Sequence, residues 1–195
     1  SPSRRRSPKG LLAGLWEYPN ELSDSPDPLK EWGREPESLT LAAVGKHIRF
    51  VQENQSKSHR GVVRGLHFQR GAAAQGKLVR VVSGSVLDVA VDIRRGSPTF
   101  GHYVAVELSE DNMCQLWVPR GFAHGFAVLS EQAVFQYKCD RYYHPDAEAA
   151  LAWDDPDWRI DAADVLLSDK DRHHPRLCQI PEEVLFDYHQ DLYAL

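Results

Sequence analysis

Short runs in which apolar and polar residues alternate dominate the chain from Ile48 to Cys139. The run SVLDVAVDI (85–93) places Leu, Val, Val and Ile on one face and Val, Asp, Ala and Asp on the other, and HYVAVEL (102–108) alternates in the same way. Successive side chains of a strand point to opposite faces, so this period of two indicates β-strands. Gly, Pro and Ser separate the runs. Many short strands divided by turn residues predict an all-β antiparallel sandwich or barrel.

The two ends of the chain differ from this pattern. Residues 1–45 hold six of the 12 prolines, and such a polar, proline-rich segment buries little apolar surface. We therefore predict a poorly ordered N-terminal segment at 1–45, with one short helix at 37–44, followed by one folded domain at 46–195. A chain of 195 residues is long enough for one domain with its own core. A weak helical pattern after Ala162 predicts a helical tail and a few short peripheral helices.

Bulk properties argue against several functional classes. A net charge of −5 argues against nucleic acid as the main partner. No apolar run approaches the roughly 20 residues of a membrane helix, and no glycine-rich dinucleotide-binding or P-loop motif is present. The three cysteines, Cys114, Cys139 and Cys178, form no CxxC pair. That spacing predicts reduced thiols in a cytoplasmic protein.

The stretch GVVRGLHFQRGAAAQGK (61–77) carries the chemistry. It places Arg64, His67 and Lys77 close together in the chain. An imidazole titrates near neutrality and can take a proton, and the two cations can stabilise an anion. Together they predict removal of a proton next to a carbonyl group.

Six blocks, in the same order, resemble the dTDP-4-dehydrorhamnose 3,5-epimerase family. The resemblance runs from about residue 50 to residue 171 and is carried by FVQEN (50–54), RGLHFQRG (64–71), QGKLVR (75–80), LDVAVDIRRGSPTFG (87–101), QLWVPRGFAHGF (115–126) and SDKD (168–171). It implies a cupin-like jelly roll and a cytoplasmic homodimer that needs no cofactor. The implied substrate is a dTDP-linked 4-keto-6-deoxyhexose, epimerised at C3 and C5.

The resemblance also implies catalytic roles. His67 matches the base, Lys77 the residue beside the C4 oxygen, and Tyr137 the acid on the opposite face of the sugar ring. Asp171 matches the carboxylate that orients the base, with Asp169 as the alternative two residues away. Each also has a structural interpretation: a core histidine or tyrosine, an edge-strand lysine that prevents aggregation, or a loop carboxylate.

A further set of residues matches the family's ligand-binding positions. Arg64 is expected to hold diphosphate oxygens, and Asp88 to orient a neighbouring base or lysine. The remaining members are expected to bind through hydrogen bonds or aromatic stacking: Gln52, Asn54, His124, Tyr143 and Trp117. Aromatic residues of a sandwich are also common core residues.

A metal-dependent cupin is a separate alternative. Metal-binding cupins use closely spaced histidines, whereas this chain has no HxH and its His173–His174 pair lies outside the strand region, so no metal is expected.

The family's FxDxRGxFxE segment has no counterpart in residues 1–45. We expect its loss to weaken nucleotide binding and strand exchange between subunits more than proton transfer.

Three alternatives remain open. A monofunctional 3-epimerase, or another 4-keto sugar-nucleotide isomerase, would use the same base. A non-catalytic sugar-nucleotide-binding relative would not need a base, an acid and an orienting carboxylate together.

Overall fold

The computed structural model describes residues 16–19, 47–156 and 166–194, and these residues form strands and short 3-10 turns without an α-helix. Alternating side chains and frequent turn residues account for the many short strands. The strands are β1 (Trp16–Pro19), β2 (Gln52–His59), β3 (Val62–Gln69), β4 (Lys77–Ser83), β5 (Ser85–Asp92), β6 (Arg94–Arg95), β7 (Tyr103–Ser109), β8 (Cys114–Val118), β9 (Phe122–Val128), β10 (Gln132–Cys139), β11 (Glu148–Ala150), β12 (Leu166–Leu167) and β13 (Phe186–Asp187).

Two sheets face each other. The five-stranded sheet has the order β1-β8-β4-β10-β2, and the six-stranded sheet has the order β11-β3-β9-β5-β7 with β12 added parallel to β3. Apart from that parallel pair, the pairings within these two sheets are antiparallel. The all-β jelly-roll prediction is confirmed.

The alternation in β5 divides its side chains between two cores. Val86 and Ala90 pack into the cluster between the sheets, with residues of β4, β8 and β10. Val89 and Val91 pack on the outer face, which the C-terminal segment covers with residues such as Phe186. Both faces of β5 are therefore buried, which agrees with the predicted division of its side chains into two faces.

The ends of the chain show where the sequence pattern was less informative. Residues 16–19 pair as β1 with β8, at a position where the sequence pattern indicated no strand. The helix predicted at 37–44 lies outside the described residues. Helical structure in 166–194 consists of the 3-10 turns at 171–173, 177–179 and 182–184. None of the helical segments described is long and apolar enough to cross a membrane.

Candidate active site

A cavity of about 830 Å³ opens between the two sheets. Drug-sized and cofactor-sized ligands occupy pockets of about 300–1,000 Å³. Its walls come from β2, β3, β4, β9 and β10, together with Tyr143, Glu148 and residues 166–168, 170 and 171. Most of the polar side chains singled out by the sequence line this space: Gln52, Asn54, Arg64, His67, Lys77, His124, Tyr137, Tyr143 and Asp171.

Two glycines position the strand that carries the candidate base. A Cβ on Gly65 would lie 2.6 Å from the Cα of Gly125, and Gly65 has a φ of +132°. The register of β3 against β9 shifts between Arg64 and His67. Such an irregularity redirects side chains. The close approach of β3 and β9 therefore requires glycine at both positions, next to the residues that enter the cavity.

His67 lies between two carboxylates. Its Nε2 is 2.9 Å from Oδ1 of Asp171, and its Nδ1 is 3.2 Å from Oε1 of Glu148. Within the described residues Nδ1 has no hydrogen-bond partner. Ser168 Oγ donates a 2.8 Å hydrogen bond to Oδ2 of Asp171 and fixes that carboxylate. The two carboxylates therefore hold the ring at both of its nitrogens, with Nδ1 buried beside Glu148.

Burial sets the charge state of this imidazole. Desolvation lowers the pKa of His67 below 6.5, more than the nearby carboxylates of Asp171 and Glu148 raise it. The neutral form therefore prevails at neutral pH. That is the form a general base requires.

The structure places Asp171, and not Asp169, beside the imidazole. Asp169 accepts a 3.0 Å contact from His173 through its backbone carbonyl. Asp171 is 6% exposed, and its Oδ1 is also 3.1 Å from Nε2 of His174. Of the two aspartates that the sequence left open, Asp171 is therefore the one that lies beside His67.

Glu148 was not predicted from the sequence as a site residue. This residue begins β11, and besides its contact with His67 its Oε2 accepts hydrogen bonds from Tyr143 Oη at 3.0 Å and from Lys170 Nζ at 2.6 Å. Burial alone would raise the pKa of Glu148, but hydrogen bonds from Lys170 and Tyr143 and the charges of His67 and Lys170 lower it. Its pairing with β3 depends on tertiary structure, because the tripeptide EAA carries no local signal for a site.

Lys77 and Tyr137 approach the cavity from the five-stranded sheet, opposite the strand that carries His67. The Nζ of Lys77 lies 5.8 Å from the centre of the Tyr137 ring. Burial lowers the pKa of Lys77, and the charges of Cys139, Asp88 and Glu148 counteract this only in part. Burial also raises the pKa of Tyr137. A partly desolvated cation and a protonated phenol therefore face an imidazole across one cavity.

His124 and Asp88 form a buried pair behind this group. His124 Nε2 lies 3.0 Å from both carboxylate oxygens of Asp88. Burial raises the pKa of Asp88, and the charges of His124 and Lys77 oppose that change. His124 lines the cavity, whereas Asp88 is fully buried and reaches the site through its neighbours.

The binding candidates occupy the mouth of the cavity. Arg64 is exposed there and donates a 3.3 Å hydrogen bond to Ser58 Oγ. Gln52 Nε2 donates to Asn54 Oδ1 at 3.1 Å, and Gln52 Oε1 accepts from the backbone N–H of Tyr143 at 2.9 Å. Tyr143 is 46% exposed, so its ring is free to stack on a ligand.

Trp117 does not join this group. Its side chain is fully buried and contacts Ile48, Leu78 and Phe50 in a separate hydrophobic cluster. A Cβ on Gly76 would lie 2.5 Å from its ring. The indole therefore packs in the core next to the start of β4. It does not have the stacking role that the sequence suggested.

Comparison with known proteins agrees with this geometry. The family model described as dTDP-4-dehydrorhamnose 3,5-epimerase matches residues 36–179. The enzyme of that name from Salmonella typhimurium is 59% identical over 112 residues, which cover 57% of this chain and 61% of that protein. The chain thus spans about three fifths of this relative's length.

Solved structures extend the similarity. The dTDP-6-deoxy-D-glucose-3,5-epimerase of Legionella pneumophila, in complex with dTDP-4-keto-L-rhamnose, is 48% identical with a TM-score of 0.75, covering 80% of this chain and 85% of that one. ChmJ, a 3'-monoepimerase from Streptomyces bikiniensis in complex with dTDP-quinovose, is 29% identical with a TM-score of 0.78, covering 93% and 92%. The chain belongs to the dTDP-4-dehydrorhamnose 3,5-epimerase family of isomerases.

Proposed function

We propose that this protein epimerises C3 and C5 of dTDP-4-dehydro-6-deoxy-D-glucose and yields dTDP-4-dehydro-L-rhamnose. The observation that carries the proposal is the placement of His67 on one sheet and of Tyr137 and Lys77 on the facing sheet, around a cavity large enough for a sugar nucleotide. Family membership supplies the substrate class.

The reaction begins at the carbon next to the C4 ketone. The neutral imidazole of His67 takes the C–H proton, and the bonding electrons move to the C4 oxygen as an enolate. Lys77 stabilises that oxygen, since a cation in a water-poor site interacts strongly with developing negative charge. The 2.9 Å contact with Asp171 stabilises the imidazolium that forms.

The enolate then takes a proton on its other face. Tyr137 gives its phenolic proton to the ring carbon, the C4 ketone re-forms, and the configuration is inverted. Solvent returns a proton to the phenolate and removes one from the imidazolium. Repetition at the second carbon gives the doubly epimerised sugar, with no change in oxidation state.

Ligand binding is assigned to the mouth of the cavity. Arg64 is exposed beside Ser58 and suits diphosphate oxygens, because a guanidinium can bind them in a bidentate manner. Gln52, Asn54 and His124 supply hydrogen bonds to the sugar or phosphate, and Tyr143 supplies a ring for stacking.

Incubation with the 4-keto sugar nucleotide in deuterated water tests the reaction. NMR of the product should show deuterium at both C3 and C5 and the L-rhamno configuration. Deuterium at C3 alone would favour a 3-epimerase, as in the neighbour ChmJ. Binding of dTDP without any exchange would instead favour a non-catalytic binder.

Two broader assignments accompany the mechanism. The chain is inferred to act as a homodimer in the cytoplasm, with residues 46–195 as its catalytic domain. Cys114, Cys139 and Cys178 form no disulfide within the described residues, which suits a reducing compartment. Sedimentation analysis tests the dimer, and a monomer at micromolar concentration would contradict it.

A further inference from the structure

We propose that His67, Asp171 and His174 form a binding site for Zn²⁺ and that the bound ion switches off the catalytic base. The inhibition rests on the proposed function, whereas metal binding itself can be tested without turnover. The ion acts here as an inhibitor and takes no part in epimerisation.

The ligand atoms converge on one point. One from each residue, two imidazole nitrogens and a carboxylate oxygen, lie within 4.8 Å of one another. Asp171 Oδ1 is 2.9 Å from Nε2 of His67 and 3.1 Å from Nε2 of His174. Neighbouring ligands of a tetrahedral zinc ion with bonds of about 2.0–2.1 Å are about 3.3 Å apart. Two of the three separations therefore need to change by only a few tenths of an ångström.

The surrounding groups already orient the ligands. Ser168 Oγ donates to Oδ2 of Asp171 at 2.8 Å and leaves Oδ1 directed at the two rings. Glu148 Oε1 lies 3.2 Å from Nδ1 of His67. A carboxylate on the second nitrogen of a ligating histidine is the usual outer-shell partner in zinc sites. Two histidines and one carboxylate leave a fourth position for water, and the lone pairs they offer suit Zn²⁺ better than Mg²⁺ or Ca²⁺.

Metal binding at this point inactivates the base by its effect on the tautomer. In the free enzyme the neutral imidazole has a hydrogen on one ring nitrogen and a lone pair on the other. A zinc ion bound to Nε2 uses the lone pair of that nitrogen, so the neutral ring must carry its hydrogen on Nδ1, beside Glu148. Neither nitrogen then has a lone pair with which to take a proton. Asp171 is also withdrawn from its orienting role.

His174 is the residue that distinguishes this site from an ordinary His–Asp pair. Its place outside the strands argued against metal binding, but the 3-10 turn at 171–173 brings it against Asp171. Its ring centre is 5.5 Å from that of His67, at an interplanar angle of 81°. The neighbouring His173 is exposed and contacts the Asp169 carbonyl, which makes it a matched control.

The test uses the purified chain and two variants, His174→Ala and His173→Ala. Cobalt(II), a spectroscopic substitute for zinc, is titrated into each protein, and its visible absorption reports tetrahedral binding in the absence of substrate. Zinc is then titrated against epimerisation, with each protein compared with its own metal-free rate. We expect wild type and His173→Ala to give the cobalt band and to lose activity with zinc. We expect His174→Ala to require at least about ten-fold higher concentrations of cobalt for the absorption band and of zinc for inhibition.

The outcomes separate the two proposals. Equal zinc sensitivity and equal cobalt spectra in all three proteins would overturn the metal site, whatever the activity. A cobalt band that depends on His174, in a protein without epimerase activity, would keep the metal site and overturn the proposed function. Epimerisation that is insensitive to zinc, with no cobalt band, would overturn the metal site alone.

Discussion

Oδ1 of Asp171 lies 2.9 Å from Nε2 of His67, and Ser168 holds the other carboxylate oxygen. The aspartate is almost fully buried, so water does not compete for this contact. Asp169, two residues earlier, contacts His173 through its backbone. Asp169 and Asp171 therefore have different positions relative to the base, and mutating each in turn can distinguish their roles.

Asp171→Asn is expected to lower kcat by about 10²-fold or more, because the amide neither fixes the tautomer of His67 nor stabilises its imidazolium. Asp169→Asn is the matched control and should retain kcat within about two-fold, because Asp169 contacts His173 through its backbone carbonyl, which the substitution leaves in place. Steady-state kinetics on both variants checks this. Equal losses in the two variants would contradict the assignment.

The pH profile should report the buried imidazole. Burial lowers the pKa of His67 below 6.5, and the neutral form is the active one, so kcat/KM should fall only as the pH drops below that value. Glu148 raises this pKa through its charge. In Glu148→Gln the acidic limb should therefore move to lower pH. Profiles are measured with a chelator present, and a limb that moves to higher pH would contradict the electrostatic role of Glu148.

Arg64→Lys should raise KM about ten-fold with a smaller change in kcat, because an ammonium cannot reproduce the bidentate contact of a guanidinium with diphosphate. Within the described residues no carboxylate forms an ion pair with Arg64, which leaves its charge available for the ligand. Arg80→Lys is a suitable control, because Arg80 instead donates to Gln136 at 2.7 Å. A loss confined to kcat would contradict a binding role.

Trp117→Phe should lower the free energy of unfolding by about 1–3 kcal/mol, because it leaves a space beneath Gly76. Within the described residues the indole nitrogen has no hydrogen-bond partner, so the cost arises from packing. Affinity for dTDP should stay within about two-fold of wild type. Chemical denaturation and calorimetric titration measure the two quantities. A large loss of affinity at unchanged stability would restore the stacking role for Trp117.

The sequence predicted the fold well wherever one local pattern determined it. Alternation in 85–93 and 102–108 marked β5 and β7 and the two cores that they separate. The 3-10 turns of residues 166–194 were expected only as weak helical character, because their conformation depends on contacts with the six-stranded sheet. β1 has only four residues, and its pairing with β8 is set by tertiary structure.

The candidate site was predictable where motif residues lie on strands that face the cavity. The stretch 61–77 gave Arg64, His67 and Lys77, and the family resemblance gave Tyr137; all four line the cavity. Glu148 and His174 come from a three-residue strand and a loop, and only the folded chain brings them to His67. Trp117 was misassigned because an aromatic residue in a strand has the same local appearance in a core as in a ligand site.

The most direct measurement follows deuterium incorporation at C3 and C5 of the 4-keto sugar nucleotide, by NMR in deuterated water, in wild type and in His67→Asn, with dTDP affinity measured in parallel. Wild type should exchange both hydrogens. His67→Asn should bind dTDP with similar affinity but exchange at least about 10²-fold more slowly, because the base is lost. Exchange at the wild-type rate in His67→Asn would contradict the account.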